Sequence, residues 1–417
     1  MINASEYKPR IIPILGDVDS AEIDRAQAID PTVSLNREKV EEIGREDVVG
    51  YLKKSPTIGY RLTQLEYGSL EFWSKLTNTA VKGESGETPI TVDDFKTPYF
   101  DICAYLTDDD GTFRGTYMYP ALRVAGFGLA IGDPQARIER SFDLVGESAV
   151  IWQGANKYVI YGKHEVETGE PDSGDDVVID LSTSGTPAPV EDPDNSGVYM
   201  IRVVKVRGAV STVLTATDYT YGGGNLTVHD CAVGDVVKFC YTSGTAPVQA
   251  TFTPNDADPS ALLGDCASVY LYIPASGKPS ASDYVYRLQS INFDVKFDRE
   301  DLREIGNKDV VQRGIKNATV TANLGRIVEQ FTIEEILRGE GTGYGKIDIE
   351  KLTDQACLIV KVFTDNTKST FAYGFKMEGM SPTDLKGGAT VSEYVKADTT
   401  LTGETMEITA DESELGI

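Results

Sequence analysis

The chain has 417 residues, which is long for one ordinary core and predicts two or three domains. Its composition, 41% hydrophobic and 25% charged, argues against wholesale disorder. A net charge of −26 argues against tight binding to a phosphate backbone, which needs clustered Lys and Arg. The acidic balance fits a soluble surface, and it equally fits a surface that nucleic acid passes without sticking; charge alone leaves both readings open.

The five cysteines are an odd number, widely spread and without a CxxC pair. This pattern predicts reduced, mostly buried thiols in a protein made in a cytosol. The longest candidate membrane stretch, residues 121–132, is rich in glycine and contains Arg123. We therefore expect no membrane insertion.

A 36-residue segment occurs twice, because the sequence from Gln27 aligns without a gap with the sequence from Gln289. The identical pairs include Ile29/Ile291, Val33/Val295, Arg37/Arg299, Glu38/Glu300, Glu42/Glu304, Ile43/Ile305, Gly44/Gly306, Asp47/Asp309, Val48/Val310, Val49/Val311, Thr57/Thr319 and Leu62/Leu324. Such a match indicates a fused pair of like domains, which is a natural way to build a ring from half as many chains.

Inside the repeat, residues 36–44 have the pattern of a short helix, with Asn36 as its N-terminal cap and Gly44 as its stop. The second copy has Asp298 and Gly306 at the same places. A second short helix is predicted in each copy, at residues 69–76 and 333–337.

A strand is predicted after the first helix of each copy, at residues 57–66 and 319–328, because apolar and polar side chains alternate. The apolar face carries Ile58, Tyr60 and Leu62 in copy 1, and Val320, Ala322 and Leu324 in copy 2. The opposite face carries Thr57, Arg61 and Thr63, and correspondingly Thr319, Thr321 and Asn323.

Weaker matches extend the duplication beyond the 36 residues. Residues 100–107 resemble 357–364, Thr116 matches Thr370, and Leu144 matches Leu401. Each copy is therefore expected to be an antiparallel β domain flanked by one or two short helices.

A segment without a counterpart separates the copies, and its short strands between Gly-rich turns predict a small β-sandwich or barrel displayed at the surface. Its strands are expected at residues 198–206, 211–216, 219–221, 226–229 and 236–242. The predicted fold is thus mainly β and duplicated, with domains at 1–157, 158–259 and 260–417.

Catalytic patterns are scarce. The chain has two histidines, His164 and His229, neither of which stands in a metal-ligand pattern, and it has no GxSxG elbow. We therefore predict no enzyme, no catalytic residue, no cofactor and no metal.

Three aligned positions of the repeat invert their charge: Lys39/Asp301, Glu41/Arg303 and Glu46/Lys308. If the two copies alternate around a closed ring, opposite charges at each joint would fix the alternation. Drift on a solvated face explains the same inversion, and the sequence leaves both explanations open.

The repeated pattern resembles the tail tube proteins of long-tailed bacterial and archaeal viruses. In this pattern a strand is followed by Arg-Glu-x-x-x-Glu-Ile/Leu-Gly and, about a dozen residues later, by a Thr-rich strand. Arg37, Glu38 and Gly44 belong to this pattern in copy 1, and Arg299 and Gly306 belong to it in copy 2. The duplication resembles the siphovirus-type subset in which two tube domains are fused.

The resemblance implies a virion structural protein. In that subset, three chains form a pseudo-hexameric ring, stacked rings form the tube, and an added immunoglobulin-like domain is sometimes displayed outside. It further implies contacts with the tape-measure and other tail proteins, passage of genomic DNA without specific binding, and assembly in the host cytoplasm. Thr57, Arg61, Thr63, Thr319, Thr321 and Asn323 are then candidate lumen residues. The alternative is a β-rich adhesin or carbohydrate-binding surface protein.

Overall fold

The structure, a computed structural model, describes residues 10–16, 21–23, 25–40, 50–77, 87–108, 112–154, 157–170, 175–182, 186–208, 210–245, 261–274, 284–285, 287–302, 312–328, 332–338, 349–352, 355–388 and 395–415. The chain is mainly β, as predicted from its Val, Thr, Tyr and Gly content. Its α-helices within these residues are two short ones, α1 (Glu71–Thr77) and α2 (Thr332–Arg338), where short helices were expected.

The strands before the insertion belong to the predicted copy 1. They are β1 Arg10–Gly16, β2 Ala21–Glu22, β3 Ala26–Ser34, β4 Arg37–Val40, β5 Gly50–Lys53, β6 Thr57–Leu65, β7 Ile90–Thr91, β8 Phe100–Thr107, β9 Phe113–Ile131, β10 Glu139–Gly146 and β11 Val150–Gln153.

The later strands belong to the predicted insertion (β12 to β18) and to copy 2 (β19 to β25). They are β12 Tyr158–Glu165, β13 Val177–Asp180, β14 Met200–Arg207, β15 Val210–Val213, β16 Tyr219–Gly222, β17 Asn225–Val228, β18 Val236–Ser243, β19 Ala267–Tyr272, β20 Leu288–Leu302, β21 Gln312–Ile327, β22 Ala356–Phe363, β23 Phe371–Gly388, β24 Lys396–Gly403 and β25 Glu407–Thr409.

The two copies share their strand pairings as well as their sequence. Strand β3 pairs with β6 so that Ile29 lies opposite Leu62, and β20 pairs with β21 so that the aligned Ile291 lies opposite Leu324. The ladders β10·β9 and β24·β23 each contain a register shift, and the two shifts fall at the same place. Because a bulge costs a local pairing and is not a default feature, its repetition indicates one shared fold.

The pairings correct two sequence matches. Residues 100–107 correspond to 356–363 and not to 357–364, because the register shifts of the ladders β8·β9 and β22·β23 then fall at the same places. Thr116 of β9 lies opposite Tyr105, and the corresponding position of β23 lies opposite Lys361, where the residue is Gly374. Thr116 therefore corresponds to Gly374 and not to Thr370. The recurrence of Thr at positions 116 and 370 is a chance match, and the alternation of a strand, with its period of two, could not reveal the shift in register.

The predicted helix at residues 36–44 is wrong over the residues that are described, and so is its counterpart after Asp298. Residues 37–40 form β4, which pairs with β5, while residues 298–302 belong to β20. Asn36 has a φ of 44°, and its side-chain amide donates to Ser55 O at 2.8 Å. Asn36 thus holds a β-hairpin together, where it was expected to cap a helix. Gly44 and Gly306 lie outside the described residues.

The chain divides into two compact units. Their residues are Met1–Asp24, Tyr99–Leu122 and Glu147–Asp256 for unit 1, and Arg25–Pro98, Arg123–Gly146 and Ala257–Ile417 for unit 2. Strand β9 contributes residues to both units.

Unit 1 is built in layers. Sheet β12-β18-β14-β15 packs one face against sheet β13-β17-β16, with Val203, Leu226 and Phe239 in the shared core. Its other face packs on β8 and the first part of β9 through Val159 and Cys240. The insertion therefore has a buried face against copy 1, which the prediction of a surface-displayed domain did not include.

Unit 2 contains one long sheet with strand order β19-β22-β23-β24-β21-β20-β9-β10-β6-β3. Its core is aromatic, since the ring of Trp73 on α1 lies 4.9 Å from that of Phe142, 5.2 Å from that of Phe127 and 5.6 Å from that of Phe375. Trp73 and Phe142 come from copy 1 and Phe375 from copy 2, so the two copies share this core.

Candidate functional site

The joint between the copies is a β-ladder, which we call the internal joint. Strand β20 of copy 2 pairs antiparallel with β9 of copy 1, from Ile291 opposite Ile131 to Lys296 opposite Gly126. The strands β9 and β20 do not correspond to each other: β9 corresponds to β23, and β20 to β3. The joint is therefore head-to-tail, a type of contact that each copy can repeat with a further copy.

Two strand edges remain at the ends of this arrangement. Strand β3, the counterpart of β20, pairs with β6 on one side and ends the sheet. Residues 384–388 of β23, the counterpart of 126–130 in β9, pair with β24. Within the part of the chain that the structure describes, no further strand covers these two edges, which we call the open edges.

The open edge of β3 keeps the apolar pattern of a buried strand. Val295 in β20 is 1% exposed and Phe297 is 6% exposed, whereas the aligned Val33 is 49% exposed and Leu35 is 53% exposed. Singly exposed apolar residues are ordinary, but a strand edge with an apolar row is a template for pairing. The exposed row is the surface that the internal joint buries in the other copy.

Two aligned arginines also differ in their surroundings, one being bonded across the internal joint and the other exposed at the open edge. Arg299 at the far end of β20 donates from Nε to Val124 O at 2.7 Å and from Nη2 to Phe95 O at 3.3 Å, both in copy 1. Its counterpart Arg37 lies on β4 and is exposed. Arg299 thus fastens copy 2 to copy 1, and Arg37 stands at the corresponding place of the open edge.

The charge-inverted positions are only partly described. Lys39 lies exposed on β4, and Asp301 lies on β20, so both belong to strands and not to the predicted helix. Glu41, Glu46, Arg303 and Lys308 lie outside the described residues. Their role at a ring joint stays a prediction.

The six candidate lumen residues lie on one face of the unit 2 sheet, opposite the core. Thr57, Arg61 and Thr319 are exposed, and the other three, Thr63, Thr321 and Asn323, are half-buried. Residues opposite each other in a ladder share a face, and one such row crosses six strands. It runs through Thr63, Ser141, Gly128, Asp294, Thr321 and Thr402.

Carboxylates outnumber basic groups on this polar face. The carboxylates are Asp30, Glu139, Asp143, Asp294, Asp384 and Asp398, and the basic groups are Arg61, Arg123, Lys296, Lys386 and Lys396. Some of them pair, as in Lys386 Nζ to Asp384 Oδ2 at 2.6 Å and Arg61 Nε to Asp143 Oδ1 at 3.8 Å. The face thus carries a small excess of carboxylates and is rich in hydroxyl groups.

Beneath this face, unit 2 buries an ionic cluster that we call the Glu66 cluster. Glu66 and Arg140 are each 0% exposed and form an ion pair with Nη1 3.3 Å from Oε2. Glu66 also accepts from the backbone N–H groups of Tyr67 at 2.8 Å and Gly68 at 2.7 Å. The hydroxyl of Tyr373, on β23 of copy 2, donates to Glu66 Oε2.

Tyr373 is a reliable donor because it stays protonated. Burial, reinforced by the negative charge of Glu66, raises the pKa of Tyr373 well above its usual range. The sequence analysis missed this cluster. Its sequence signal is the polar residues Gln64, Glu66 and Arg140 at positions where the alternation of β6 and β10 calls for core residues.

Unit 1 has a buried carboxylate of its own. Asp101 is 0% exposed and accepts from Arg202 Nη2 at 2.6 Å, the Tyr161 hydroxyl at 3.0 Å and the backbone N–H of Ala121 at 2.8 Å. Burial, with Asp101 as the next cause, raises the pKa of Tyr161 well above its usual range. Since Tyr161 and Arg202 belong to the insertion, Asp101 fastens the insertion to β8.

The residues weighed for chemistry form ordinary pairs. His164 Nε2 lies 2.9 Å from Glu170 Oε2, and His229 Nδ1 lies 2.9 Å from Asp176 Oδ1. Among the described residues, no group of His, Cys, Asp and Glu side chains is arranged to hold a metal ion. All five cysteines are buried thiols without a disulfide, as their spacing predicted. In the described part of the chain, no helix is long and apolar enough to cross a membrane.

Comparison with known proteins adds no identification: no protein-family model matches this chain, and no curated protein matches its sequence.

Proposed function

We propose that this chain is a structural protein that assembles with copies of itself, edge to edge, into closed rings, and that stacked rings form the tail tube of a long-tailed virus. The observation that carries the proposal is the head-to-tail internal joint together with its two open edges. A head-to-tail contact closes a ring when its rotation allows, and a chain of two copies already contains one such contact.

In this arrangement, β3 of one chain pairs with residues 384–388 of the next chain in the register of the internal joint. Val33 then lies opposite Leu385, as Val295 lies opposite Phe127 within the chain. Burial of Val33 and Leu35 removes the exposed apolar row from water, at about 25 cal/mol per Å² of buried apolar area. Three chains with six copies form the ring.

The acidic polar face supports the second part of the proposal. A channel lined by carboxylates and small hydroxyl groups repels a phosphate backbone and gives it few places to bind, so DNA passes without specific contacts. The tape-measure and other tail proteins are the expected partners, and the virion tail is the expected location.

Cysteine cross-linking tests the joint. We expect Val33→Cys combined with Leu385→Cys to link neighbouring chains on mild oxidation or with a short bis-maleimide, because the two positions face each other across the joint. The native thiols are buried and stay out of the reaction. On a denaturing gel, the linked species should end at three chains.

The matched control moves one cysteine along the same strand. Val33→Cys with Gly387→Cys places the second thiol about 7 Å further along β23, and it should link much less. Equal linking of both pairs would contradict the register. Stable monomers with no rings under negative-stain microscopy would contradict the proposed function itself.

A further inference from the structure

We infer that the Glu66 cluster is a matching element that lets copy 1 join copy 2 and prevents either copy from joining its own kind. This inference rests on the proposed function for the joints between chains. Within one chain it rests on the internal joint alone.

The internal joint satisfies the cluster. Copy 1 supplies Glu66 and Arg140, both fully buried, and copy 2 supplies the hydroxyl of Tyr373. Arg140 is held further by Gln64 Oε1 at 3.2 Å and by the carbonyl of Ser69 at 3.3 Å. A buried carboxylate that lost one of its donors would be destabilised, because the removal of a single partner leaves the other desolvated and unpaired.

The strand registers give the residue at each of these places in the other copy. Glu66 corresponds to Val328, because Gln64 lies opposite Arg140 in copy 1 while Arg326 lies opposite Ala397 in copy 2. The same ladders make Ala397 the counterpart of Arg140.

Tyr373 has a counterpart without a side chain. It lies opposite Val362 in β22, and in copy 1 the corresponding ladder places Gly115 opposite Leu106. A side chain at Gly115 is excluded in any case, since a Cβ there would come within 2.5 Å of Trp152 O.

Because of these differences between the copies, two of the four possible joints leave no buried polar group unpaired, and the other two leave one unpaired. At the internal joint, Glu66 meets Tyr373. At the joint between chains, Val328 stands in place of Glu66 and Gly115 in place of Tyr373, so neither joint brings in an unpaired polar side chain at these two positions. If copy 1 joined copy 1, Glu66 would have Gly115 in place of Tyr373 and lose a donor. If copy 2 joined copy 2, the Tyr373 hydroxyl would face Val328 without an acceptor. Since only unlike copies can join without this cost, copy 1 and copy 2 alternate around the ring.

The joint between chains is tested with Val328→Glu in the full chain. Val328 is half-buried in the single chain, so we expect the variant to fold with an unchanged melting temperature. In the ring its carboxylate would take the place of Glu66 without the tyrosine hydroxyl that Glu66 receives, and we expect at least a tenfold loss of assembled rings by sedimentation. Val328→Met is the matched control, of similar volume without charge, and should assemble.

The internal joint is tested with Tyr373→Phe, which removes only the hydroxyl. We expect a fall of roughly 2–6 °C in melting temperature. Tyr117→Phe is the control, because Tyr117 is 38% exposed, and it should leave the melting temperature unchanged.

The outcomes separate the inference from the proposed function. Normal assembly of the Val328→Glu variant would overturn the inference and leave the proposed ring assembly supported. An unchanged melting temperature for Tyr373→Phe would overturn it within the chain. A wild-type protein that forms no rings at all would overturn the proposed function and leave the thermal test of the internal joint intact.

Discussion

Strands β3 and β20 come from one repeated segment and pair with their neighbours β6 and β21 in the same register, yet their environments differ. Strand β20 has a second neighbour and is buried, whereas β3 ends the sheet and leaves Val33 and Leu35 half exposed. The difference teaches that the repeated segment is built to have partners on both sides, and that one of its two copies lacks the second partner within the chain.

The sequences of the two strands fit this reading. The core-facing positions of β20 carry Ile291, Phe293, Val295 and Phe297, and those of β3 carry Ile29, Pro31, Val33 and Leu35. The aliphatic pattern persists in the open copy. Pro31 is the exception, and because proline has no backbone N–H it can donate no hydrogen bond to a neighbouring strand.

The largest expected effect comes from charges placed on this pair of strands. Val295→Asp should lower the free energy of unfolding by about 3–5 kcal/mol, because it buries an unpaired carboxylate. Val33→Asp should change it by no more than about 0.5 kcal/mol in the single chain. Urea unfolding of both variants under conditions that keep the chain monomeric makes the measurement. Equal losses would show that β3 is covered within the chain.

The two arginines provide the next comparison. Arg299→Met should cost about 1.5–3 kcal/mol, because charge-assisted hydrogen bonds to three backbone carbonyls are lost. Arg37→Met keeps the same change of side chain at the open edge and should cost less than about 0.5 kcal/mol. Chemical denaturation of the monomers compares them. A larger loss for Arg37→Met would mean that the open edge is already occupied.

The smallest expected effect is a dependence on alkaline pH. Tyr373 has a raised pKa in the folded chain, so its contribution is complete below the pKa of an unfolded tyrosine, near 10, and is lost as the pH rises above it. Tyr373→Phe removes this loss, and between pH 10 and 11 its stability should decline less steeply than that of the wild type, by up to about 1.4 kcal/mol per pH unit.

Urea midpoints at pH 8, 9, 10 and 10.5 give the two slopes for comparison. Parallel slopes for the two proteins would show that Tyr373 titrates as an exposed tyrosine and that the internal joint does not bury it.

Much of the fold was accessible from local patterns. Alternation located β6, the apolar run at residues 100–107 matched β8 in both bounds, and the Gly-rich turns separated the strands β14 to β18. Such patterns depend on neighbouring residues only, and therefore survive in any context that buries one face.

The helix expected after Asn36 shows where local patterns end. Arg37, Glu38 and Lys39 have good helix propensity, but cross-strand pairing with β5 and an ion pair from Lys54 Nζ to Glu38 hold them extended. Propensity differences of a few tenths of a kcal/mol per residue do not outweigh a paired ladder.

Part of the candidate site was likewise predictable from the sequence, and part was not. The faces of β6 and β21 followed from alternation, so Thr57, Arg61 and Thr319 were placed together on one surface. The Glu66 cluster and the open edges were out of reach, because each depends on which distant strand lies next to which. The alternation of residues in a strand predicts the face on which a side chain lies, but it does not predict which distant residues that side chain contacts.

The ladder between β9 and β20 also bears on how quickly a ring could form. Two separate domains would have to meet by diffusion at every contact, but two domains on one chain meet at an effective concentration that a tether sets, in the millimolar range for short flexible linkers. If three chains close a ring, half of its contacts are made in this way during folding. Only the remaining half then depends on how much protein the cell supplies.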